Sequence, residues 1–420
     1  MNIFSKLFSK KLKENYVLAL DIGTELVKAL ILKIDKNKEK GIIVGVGRAP
    51  QKVSNMEGGA VTDIEGTVAV CRQAINIAKK EGKFICDQVI LGIAGELVKG
   101  QTKTIHYKRL APQTKIDSKE LKEILQKVQW QSFDRMRRLL SFETGIEELD
   151  VKLINSAIID VRIDGYKITN PLGFCGRDVA ISIFNAYAPL IHFDALQTIA
   201  SELNLDLLSI AVEPYAVAKA VVEDRSEDFS AVFCDVGGGT TDLALVRSGG
   251  IEGTKMFALG GRAFTKRIAQ ELNLNFKKAE EIKINYSLGK LDNNLQKKVK
   301  EILRADCNVW QAGVELALSE FPKTEHLPSK IFLCGGGSRL PEIKQFLEDK
   351  KLHKSLPFAK SPSVQFIQPK DIVSLKDKTN KLTDQQDITP MGLANLALEF
   401  TGEEDSVHHF FNKTLEVIRT

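Results

Sequence analysis

The sequence predicts a protein of mixed α/β domains built around two copies of one hairpin unit. Residues 16–34 contain two apolar, β-rich runs joined by a tight turn at residues 21–24, which is typical of a hairpin with a polar tip. A similar order of strand, aspartate, glycines, threonines and strand returns at residues 231–246. Strand-like and helical spacings alternate along the rest of the chain, which favours mixed α/β domains. With 420 residues, 43% of them hydrophobic, the chain can fill two or three folded cores.

The spacing of apolar residues predicts further elements. A third glycine cluster, at residues 331–340, follows a short apolar strand and runs into Pro341, which predicts a strand, a loop and a helix with proline in its first turn. A long helix is predicted over about residues 121–140, with its arginines on a solvated face rather than an RNA-binding surface. The other predicted elements are helices over residues 71–80 and 193–203, strands over residues 152–168 and a polar surface loop over residues 370–387.

Charge and cysteine content exclude several classes of protein. The chain has 59 Lys and Arg against 54 Asp and Glu, and most of the net charge of +5 lies in the first thirteen residues, so we predict no nucleic-acid partner. The six cysteines lack the spacing of a disulfide framework or a zinc site, which favours reduced thiols in the cytoplasm. The motifs of zinc proteases, serine hydrolases and P-loop nucleotidases are absent from the sequence.

The two glycine-rich hairpin tips have the composition of phosphate-binding loops. Glycines let the backbone approach a ligand closely, successive amides then form an anion-binding nest, and threonine hydroxyls add donors. Because a carboxylate would repel phosphate, an aspartate at each strand end is best explained as holding a hydrated Mg²⁺. Either tip alone fits a structural turn, but two in one chain predict a site for a nucleoside triphosphate and its metal. The predicted residues are Asp21, Gly23 and Thr24 in the first tip and Asp235, Gly237, Gly238, Gly239, Thr240 and Thr241 in the second.

The third glycine cluster completes a recognisable order of loops. Residues 335–338 lack large side chains and can pack flat against a base or ribose. The series of hairpin loop, hairpin loop and strand–loop–helix resembles the actin, sugar kinase and heat-shock chaperone superfamily of ATP-binding folds. That resemblance implies ATP and Mg²⁺ as ligands, with Asp21 and Asp235 positioning the metal and Glu213 lying near the attacking water. It also implies that ribose and adenine contact Gly260, Gly261, Glu280, Lys283, Gly335, Gly336, Gly337 and Ser338.

Within that superfamily the sequence is most similar to FtsA, the bacterial cell-division family that ties FtsZ filaments to the membrane. The stretches that carry this resemblance are residues 43–47, 56–63 and 164–173, and the similarity runs from about residue 16 to about residue 400. It implies an α/β, actin-like, two-lobed fold with duplicated mixed-sheet ATPase cores and an FtsA-type inserted subdomain. The implied domains are an N-terminal basic segment (1–13), a first core lobe (15–88, 174–213 and 388–402), the inserted subdomain (89–173), a second core lobe (214–262 and 329–387), a small subdomain (263–328) and a C-terminal tail (403–420).

The resemblance also implies what the protein does. We expect an ATP-binding protein with slow or no hydrolysis that polymerises and tethers FtsZ at the cytoplasmic face of the membrane, at the division site. The surface that binds FtsZ is expected around residues 264–328. Two alternatives stay open, a PilM-like component of type IV pilus assembly and a small-molecule kinase. A kinase is less favoured because no unassigned aspartate has the local motif of a substrate base.

A candidate membrane anchor lies at the N-terminus, whereas FtsA-like proteins usually carry theirs at the C-terminus. Apolar residues at helical spacing alternate with lysines over residues 1–13, which is typical of a helix lying in the bilayer interface. One copy would bind weakly, and a filament of copies firmly, because binding is multivalent. The last residues, 408–420, are also apolar but carry only two cations. The predicted membrane-contacting residues are Ile3, Phe4, Leu7, Phe8 and Leu12.

Overall fold

The structure, a computed structural model, describes residues 16–401 apart from residues 36–39, 81, 83, 96–97, 148, 223–227 and 322–325. Both terminal segments considered as membrane anchors, residues 1–13 and 403–420, lie outside the described residues. Within the described part of the chain, no helix is both long and apolar enough to cross a membrane.

The first half of the chain contains mostly strands. Its elements are β1 (Tyr16–Ile22), β2 (Leu26–Asp35), β3 (Lys40–Pro50), β4 (Met56–Glu57), β5 (Ala60–Val61), α1 (Ile64–Lys79), β6 (Gln88–Ile93), β7 (Lys99–Lys108), α2 (Ser118–Thr144), β8 (Val151–Ile163), β9 (Tyr166–Lys167), β10 (Asp178–Pro189) and α3 (Leu190–Glu202).

Helices are more frequent in the second half. Its elements are β11 (Asp206–Val212), α4 (Glu213–Val222), β12 (Ala231–Val236), β13 (Thr241–Arg247), β14 (Gly250–Phe257), α5 (Gly261–Glu271), α6 (Phe276–Ser287), α7 (Asn293–Ser319), β15 (Lys330–Cys334), α8 (Pro341–Leu347), α9 (Lys350–Ser355), β16 (Ser363–Phe366), β17 (Leu375–Asp377) and α10 (Ile388–Thr401). A short 3-10 helix at Gly336–Arg339 separates β15 from α8.

The strands form two main sheets. The six-stranded sheet has the order β11, β6, β1, β2, β3, β17, and together with α1, α3 and α10 it makes up the first lobe. The nine-stranded sheet has the order β16, β15, β12, β13, β14, β7, β10, β8, β9. Strands β12–β16 of that sheet, with α5–α8, make up the second lobe. Strands β7–β10 with α2 form a subdomain whose strand β7 continues the sheet of the second lobe by pairing with β14 at two residue pairs.

Local sequence explains why these elements form where they do. The central strand β1 is apolar along nearly its whole length and is buried, as expected for a strand covered on both faces. Helix α2 begins where the Asp117 side chain accepts a hydrogen bond from the backbone N–H of Glu120, and it ends at Gly145, whose φ is 70°. Pro341 is the first residue of α8. A backbone N–H at that position has no partner within the helix, so proline, which lacks one, costs no hydrogen bond there.

Separate apolar clusters fill the lobes and the subdomain. The largest lies around β1 and β2 and the helices of the first lobe, and a second lies beneath α5, α7 and β12 around Trp310. A smaller cluster packs α2 against β8 and β10. The first of these clusters also includes Phe233 and Phe332 of the second-lobe sheet, so the two lobes share apolar packing behind the cleft.

The predicted hairpins, the strand–loop–helix unit and the predicted helices are all present, and one predicted loop is wrong at its centre. Within residues 370–387, β17 pairs in parallel with β3 and buries Leu375 at the edge of the six-stranded sheet. Three residues are too few to show a periodic pattern, so only the partner strand reveals this element. Three sheet memberships also differ from the predicted domain boundaries, because β6 and β17 belong to the first-lobe sheet and β10 belongs to the nine-stranded sheet.

Candidate functional site

A cleft of about 370 Å³ lies where the two hairpin tips face each other. The β1–β2 tip lines one wall, the β12–β13 tip lines the opposite wall, and the loop after β15 closes one end. Fifteen predicted site residues line it: Asp21, Gly23, Thr24, Glu213, Asp235, Gly237, Gly238, Gly239, Thr240, Gly261, Glu280, Lys283, Gly335, Gly336 and Gly337. Residues that are more than 300 positions apart in the sequence therefore share one cleft.

Three predicted residues, Thr241, Gly260 and Ser338, are not among those that line this cleft. The buried hydroxyl of Thr241 donates to the Leu259 carbonyl at 2.7 Å and accepts from Trp310 Nε1 at 2.8 Å. Ser338 donates to the Gly335 carbonyl at 2.6 Å, within its own loop. A Cβ at Gly260 would lie 2.7 Å from the Gly237 carbonyl oxygen. These three residues do not face the cleft but stabilise the conformation of the loops that form it.

The two hairpin tips are in contact, and glycine makes that contact possible. A Cβ on Gly239 would lie 2.6 Å from Thr24 Oγ1, and one on Gly238 would lie 2.5 Å from Glu25 Cγ. Among the described residues, the backbone N–H groups of Gly238 and Gly239 make no hydrogen bond. The tip therefore presents unused donors at the cleft, as an anion-binding nest does.

Four carboxylates and one ammonium group lie at the base of the cleft. In the β1–β2 register Lys28 faces Asp21, and Lys28 Nζ donates to Asp21 Oδ2 at 2.8 Å. Burial alone would lower the pKa of Lys28, but the nearby charge of Asp21, with smaller contributions from Asp235 and Glu213, raises it above its ordinary value. The ammonium therefore stays charged.

Three of the carboxyl groups have raised pKa values. Burial is the largest cause for Glu213, Asp235 and Asp242, and it disfavours the charged form of each. The negative charges of Asp21, Asp242 and Asp235 raise the pKa of Glu213 further, and that of Asp235 raises the pKa of Asp242. One ammonium does not neutralise four carboxylates, so this cluster has a deficit of positive charge.

The donor set fits a hydrated cation better than a directly bound one. Asp242 Oδ1 is buried without a hydrogen-bond partner, which marks an unused acceptor at this end of the cleft. Within the described residues, no group of three or more His, Cys, Asp or Glu side chains is arranged to hold a metal ion directly. Mg²⁺ usually keeps several of its waters and uses one or two carboxylates, so these residues suit it.

The loop after β15 is fitted tightly against Asp235. Gly335 has a φ of 85°, in the left-handed region, and a Cβ there would lie 2.0 Å from Asp235 Oδ1. The hydroxyl of Thr389, at the start of α10 in the first lobe, donates to the other oxygen of Asp235. This carboxylate is thus held by both lobes.

The far end of the cleft is formed by α5 and α6. Lys283, which is buried, donates to the Gly261 carbonyl at 2.9 Å and to Thr265 Oγ1 at 2.7 Å, and its ammonium lies 2.8 Å from Glu280 Oε2. Glu280 and Lys283 therefore stabilise each other, three residues apart on one helix face.

Several cleft residues were not predicted as site residues. Lys28 could have been found, because an antiparallel hairpin with its turn at residues 22–25 places it opposite Asp21. Asp242 lies in the predicted motif but was assigned no role. Thr389 and Gln386 had no local signal, because they reach the cleft only through the packing of α10 and the segment before it.

A family model and curated relatives both match FtsA. The family model described as "Cell division protein FtsA" matches residues 232–383. The cell division protein FtsA of Neisseria meningitidis serogroup B is 29% identical over 360 residues, which cover 80% of this chain and 82% of that protein. The FtsA of Bacillus subtilis is 23% identical over 358 residues, which cover 80% of this chain and 76% of that protein.

The chain is similar to FtsA over most of its length. The resemblance that the sequence motifs indicated is therefore confirmed. A chain of the solved PilM–PilN type IV pilus biogenesis complex matches with a TM-score of 0.65 at 17% identity, covering 91% of this chain and 98% of that chain. At that identity the likeness shows the fold alone. It agrees with the actin-like α/β fold class predicted from the FtsA-like sequence.

Proposed function

We propose that this FtsA-like chain binds ATP with Mg²⁺, polymerises, and tethers FtsZ filaments to the cytoplasmic face of the membrane at the division site. One observation carries the nucleotide part of the proposal: glycine-rich tips from two different sheets meet across a single cleft, with a cluster of carboxylates behind them. A glycine-rich turn with a purely structural role would not require a second such turn across a cleft.

The cleft offers a triphosphate the donors it requires. The free N–H groups of Gly238 and Gly239 face the cleft from the second lobe, and the Thr24 hydroxyl lies on the opposite wall. The ammonium of Lys28 adds a fixed positive charge at the base. Donors from both walls favour a ligand that bridges them, because each lobe alone supplies only part of the set.

The carboxylates are suited to position a hydrated Mg²⁺ rather than to touch phosphate. Asp21 and Asp235 end the two hairpin strands, and the unpaired Oδ1 of Asp242 lies beside them. When bound, Mg²⁺ would neutralise charge on the phosphate oxygens. The repulsion among the carboxylates is then relieved, so we expect metal and nucleotide to bind with mutual enhancement.

Glu213 is the candidate for orienting the attacking water. It begins α4, directly after β11, and its side chain extends into space left by Gly92, where a Cβ would lie 2.5 Å from Glu213 Oε1. Burial and three neighbouring carboxylates raise its pKa, so it is a better proton acceptor than an ordinary glutamate when ionised. We propose that ATP hydrolysis is slow, because a protein that tethers filaments to a membrane requires a nucleotide-dependent shape rather than fast turnover.

The adenosine is proposed to lie between α6 and the loop after β15. Residues 335–337 expose backbone on one side, and the ion pair of Glu280 with Lys283 lies on the other. A ligand that contacts both lobes would couple its presence to the angle between them. That coupling is the proposed link between ATP and polymerisation.

Membrane attachment is proposed for the N-terminal segment, through Ile3, Phe4, Leu7, Phe8 and Leu12. Its lysines would contact anionic headgroups, each contributing about 1 kcal/mol.

FtsZ is proposed as the partner because curated relatives aligned over 80% of this chain are FtsA proteins.

The nucleotide proposal is tested by calorimetric titration of ATP with and without Mg²⁺. Gly239→Val should abolish binding, because its side chain would collide with Thr24. Ala305→Val, at an exposed position of α7, is the control. Equal ATP affinity for the parent and Gly239→Val would overturn the proposal.

The attachment proposal is tested by sedimentation with phosphatidylglycerol vesicles and ATP. Phe4→Asp with Phe8→Asp should lose both vesicle binding and filaments on the vesicles, whereas Phe410→Asp with Phe411→Asp should keep them. The reverse result would move the anchor to the C-terminal tail. Recovery of a pilus inner-membrane protein instead of FtsZ with the purified chain would contradict the cell-division role.

A further inference from the structure

A second cavity, of about 230 Å³, lies between the α2 subdomain and the second lobe. Its walls are α2, the start of β7, the middle of β14 and Phe321 just after α7. None of the residues that line it also lines the ATP-site cleft. It is therefore a separate feature.

Two glycines on neighbouring strands, Gly100 of β7 and Gly253 of β14, line this cavity. Gly100 pairs with Thr254 and Gly253 pairs with Gln101, which are the two residue pairs of the β7–β14 ladder. A Cβ on Gly100 would lie 2.3 Å from Thr254 Oγ1, and one on Gly253 would lie 3.1 Å from the Phe321 ring. A side chain at either position would collide with these neighbours, so glycine allows β7 and β14 to approach closely here.

The hydroxyl of Thr254 is a buried polar group without a partner. Thr254 lines the cavity, is 1% exposed, and its Oγ1 makes no hydrogen bond within the described residues. A buried hydroxyl normally has a partner, because leaving it unpaired costs free energy. A ligand with an acceptor oxygen would provide one.

The acidic side chains around the cavity already have basic partners. Glu320 accepts from Lys255 at 2.6 Å, and Glu252 accepts from Arg247 at 2.7 Å. Beyond the cavity lining, Glu143 pairs with Lys99 at 2.9 Å. The two charges of each pair neutralise each other, so no carboxylate is left for a further cation among the described residues that line the cavity.

Two basic residues at the rim have no acidic partner among the described residues. Lys103, on β7, and Arg135, on α2, both line the cavity. Burial and the charge of Arg135 lower the pKa of Lys103, so these cations are close enough to repel each other. Their proximity has an electrostatic cost that a bound anion would remove.

We propose that this cavity binds a phosphate-class oxyanion, held by Lys103, Arg135 and the Thr254 hydroxyl. The ligand is either free phosphate or the phosphate of an anionic lipid headgroup. Guanidinium and ammonium groups are the usual phosphate contacts in proteins, and the hydroxyl supplies a neutral donor. The site does not depend on ATP binding, because no residue is shared with the cleft.

The first test is calorimetric titration of the full chain with inorganic phosphate. Lys103→Ala with Arg135→Ala should weaken binding by about tenfold or more, as expected for the loss of two charge-assisted contacts. Lys122→Ala with Arg137→Ala removes the same charge from exposed positions of α2 and should leave binding unchanged. Equal affinity in the two double variants would overturn the proposal.

A second variant separates the site from general charge effects and from misfolding. Thr254→Val keeps the shape of the side chain and removes only the hydroxyl, so it should weaken phosphate binding several-fold without lowering the thermal midpoint. Unchanged affinity would remove Thr254 from the site and contradict the proposal. ATP affinity should be equal in all these variants, so failure here is distinct from failure of the nucleotide proposal.

The two sources of phosphate are distinguished with phosphatidylglycerol vesicles. If a headgroup is the ligand, vesicle sedimentation falls in Lys103→Ala with Arg135→Ala and not in the Lys122 and Arg137 control. If the ligand is free phosphate, only the calorimetric affinity falls. A difference in neither assay would overturn the site.

Discussion

Arg262 of the second lobe donates a hydrogen bond from Nη2 to the backbone carbonyl of Thr24 in the first lobe, at 2.7 Å. Its guanidinium also donates to the Met56 carbonyl at 3.3 Å and forms an ion pair with Glu25. Arg262 is 9% exposed, so these contacts form largely out of water. A single side chain thus fastens the two lobes together beside the nucleotide cleft.

Removing this side chain should loosen the closed cleft. We expect Arg262→Ala to speed release of a fluorescent ATP analogue about tenfold or more, because hydrogen bonds to charged groups contribute roughly 1.5–3 kcal/mol each. Stopped-flow displacement measures the rate. Arg267→Ala is the matched control, because Arg267 lies on the same helix and pairs with Asp306 within the second lobe. Equal release rates in both variants would show that Arg262 does not hold the lobes.

Alanine substitutions at two adjacent glycines of the loop after β15, Gly335 and Gly336, should differ sharply in their effect on stability. Gly335→Ala forces a side chain into a left-handed conformation and against Asp235, so we expect a loss of about 1–3 kcal/mol or more in unfolding free energy, together with loss of ATP binding. At Gly336 the nearest atom to an added Cβ is Gln386 Cβ at 4.0 Å, so Gly336→Ala should be tolerated. Urea denaturation with nucleotide titration checks both, and equal stability of the two variants would be the contrary result.

Lys28 should stabilise the folded, nucleotide-free protein and should also contribute to ATP affinity. Lys28→Met leaves Asp21 buried and unpaired, so we expect a loss of roughly 3–5 kcal/mol in unfolding free energy. Adding Asp21→Asn should restore most of this stability but not the ATP affinity, because the ammonium is still absent. Lys52→Met, at an exposed position of the same lobe, is the control. Normal ATP affinity in Lys28→Met would exclude the proposed phosphate contact.

The raised pKa of Asp242 predicts a pH dependence of stability. Because burial and Asp235 raise this pKa, the folded state holds the proton more tightly than the unfolded chain. The stability that the Asp242 carboxyl contributes is thus fully present below the ordinary carboxyl pKa of about 4. It is lost as pH rises through the raised pKa. Asp242→Asn cannot ionise, so its stability relative to the parent should increase with pH above about 4.

Urea denaturation of the nucleotide-free protein at several pH values measures this difference. Glu123→Gln changes an exposed carboxyl on α2 and should follow the parent at every pH. A constant difference between Asp242→Asn and the parent across the pH range would contradict the raised pKa. Mg²⁺-dependent ATP binding should weaken in Asp242→Asn, because an acceptor near the metal site loses its charge.

Much of the site could be predicted because its signals are local. Each hairpin tip contains its own glycines, threonine and aspartate within a few residues, and turn chemistry fixes their conformation whatever surrounds them. The register of the first hairpin even specifies that Lys28 faces Asp21. By contrast, β17 is too short to show a period, and Thr389 looks like any threonine at a helix start.

The sequence by itself determined the two hairpins, the glycines at their tips, the strand–loop–helix unit and the relationship to FtsA, since all of these depend on neighbours within a few positions. The tertiary structure alone decided that Asp235 receives a hydrogen bond from a threonine 154 positions away, and that Arg262 reaches a carbonyl 238 positions away. Hydrophobic patterning specifies which face of an element is buried, but not against which other element it packs. The contacts that join the lobes follow from that packing.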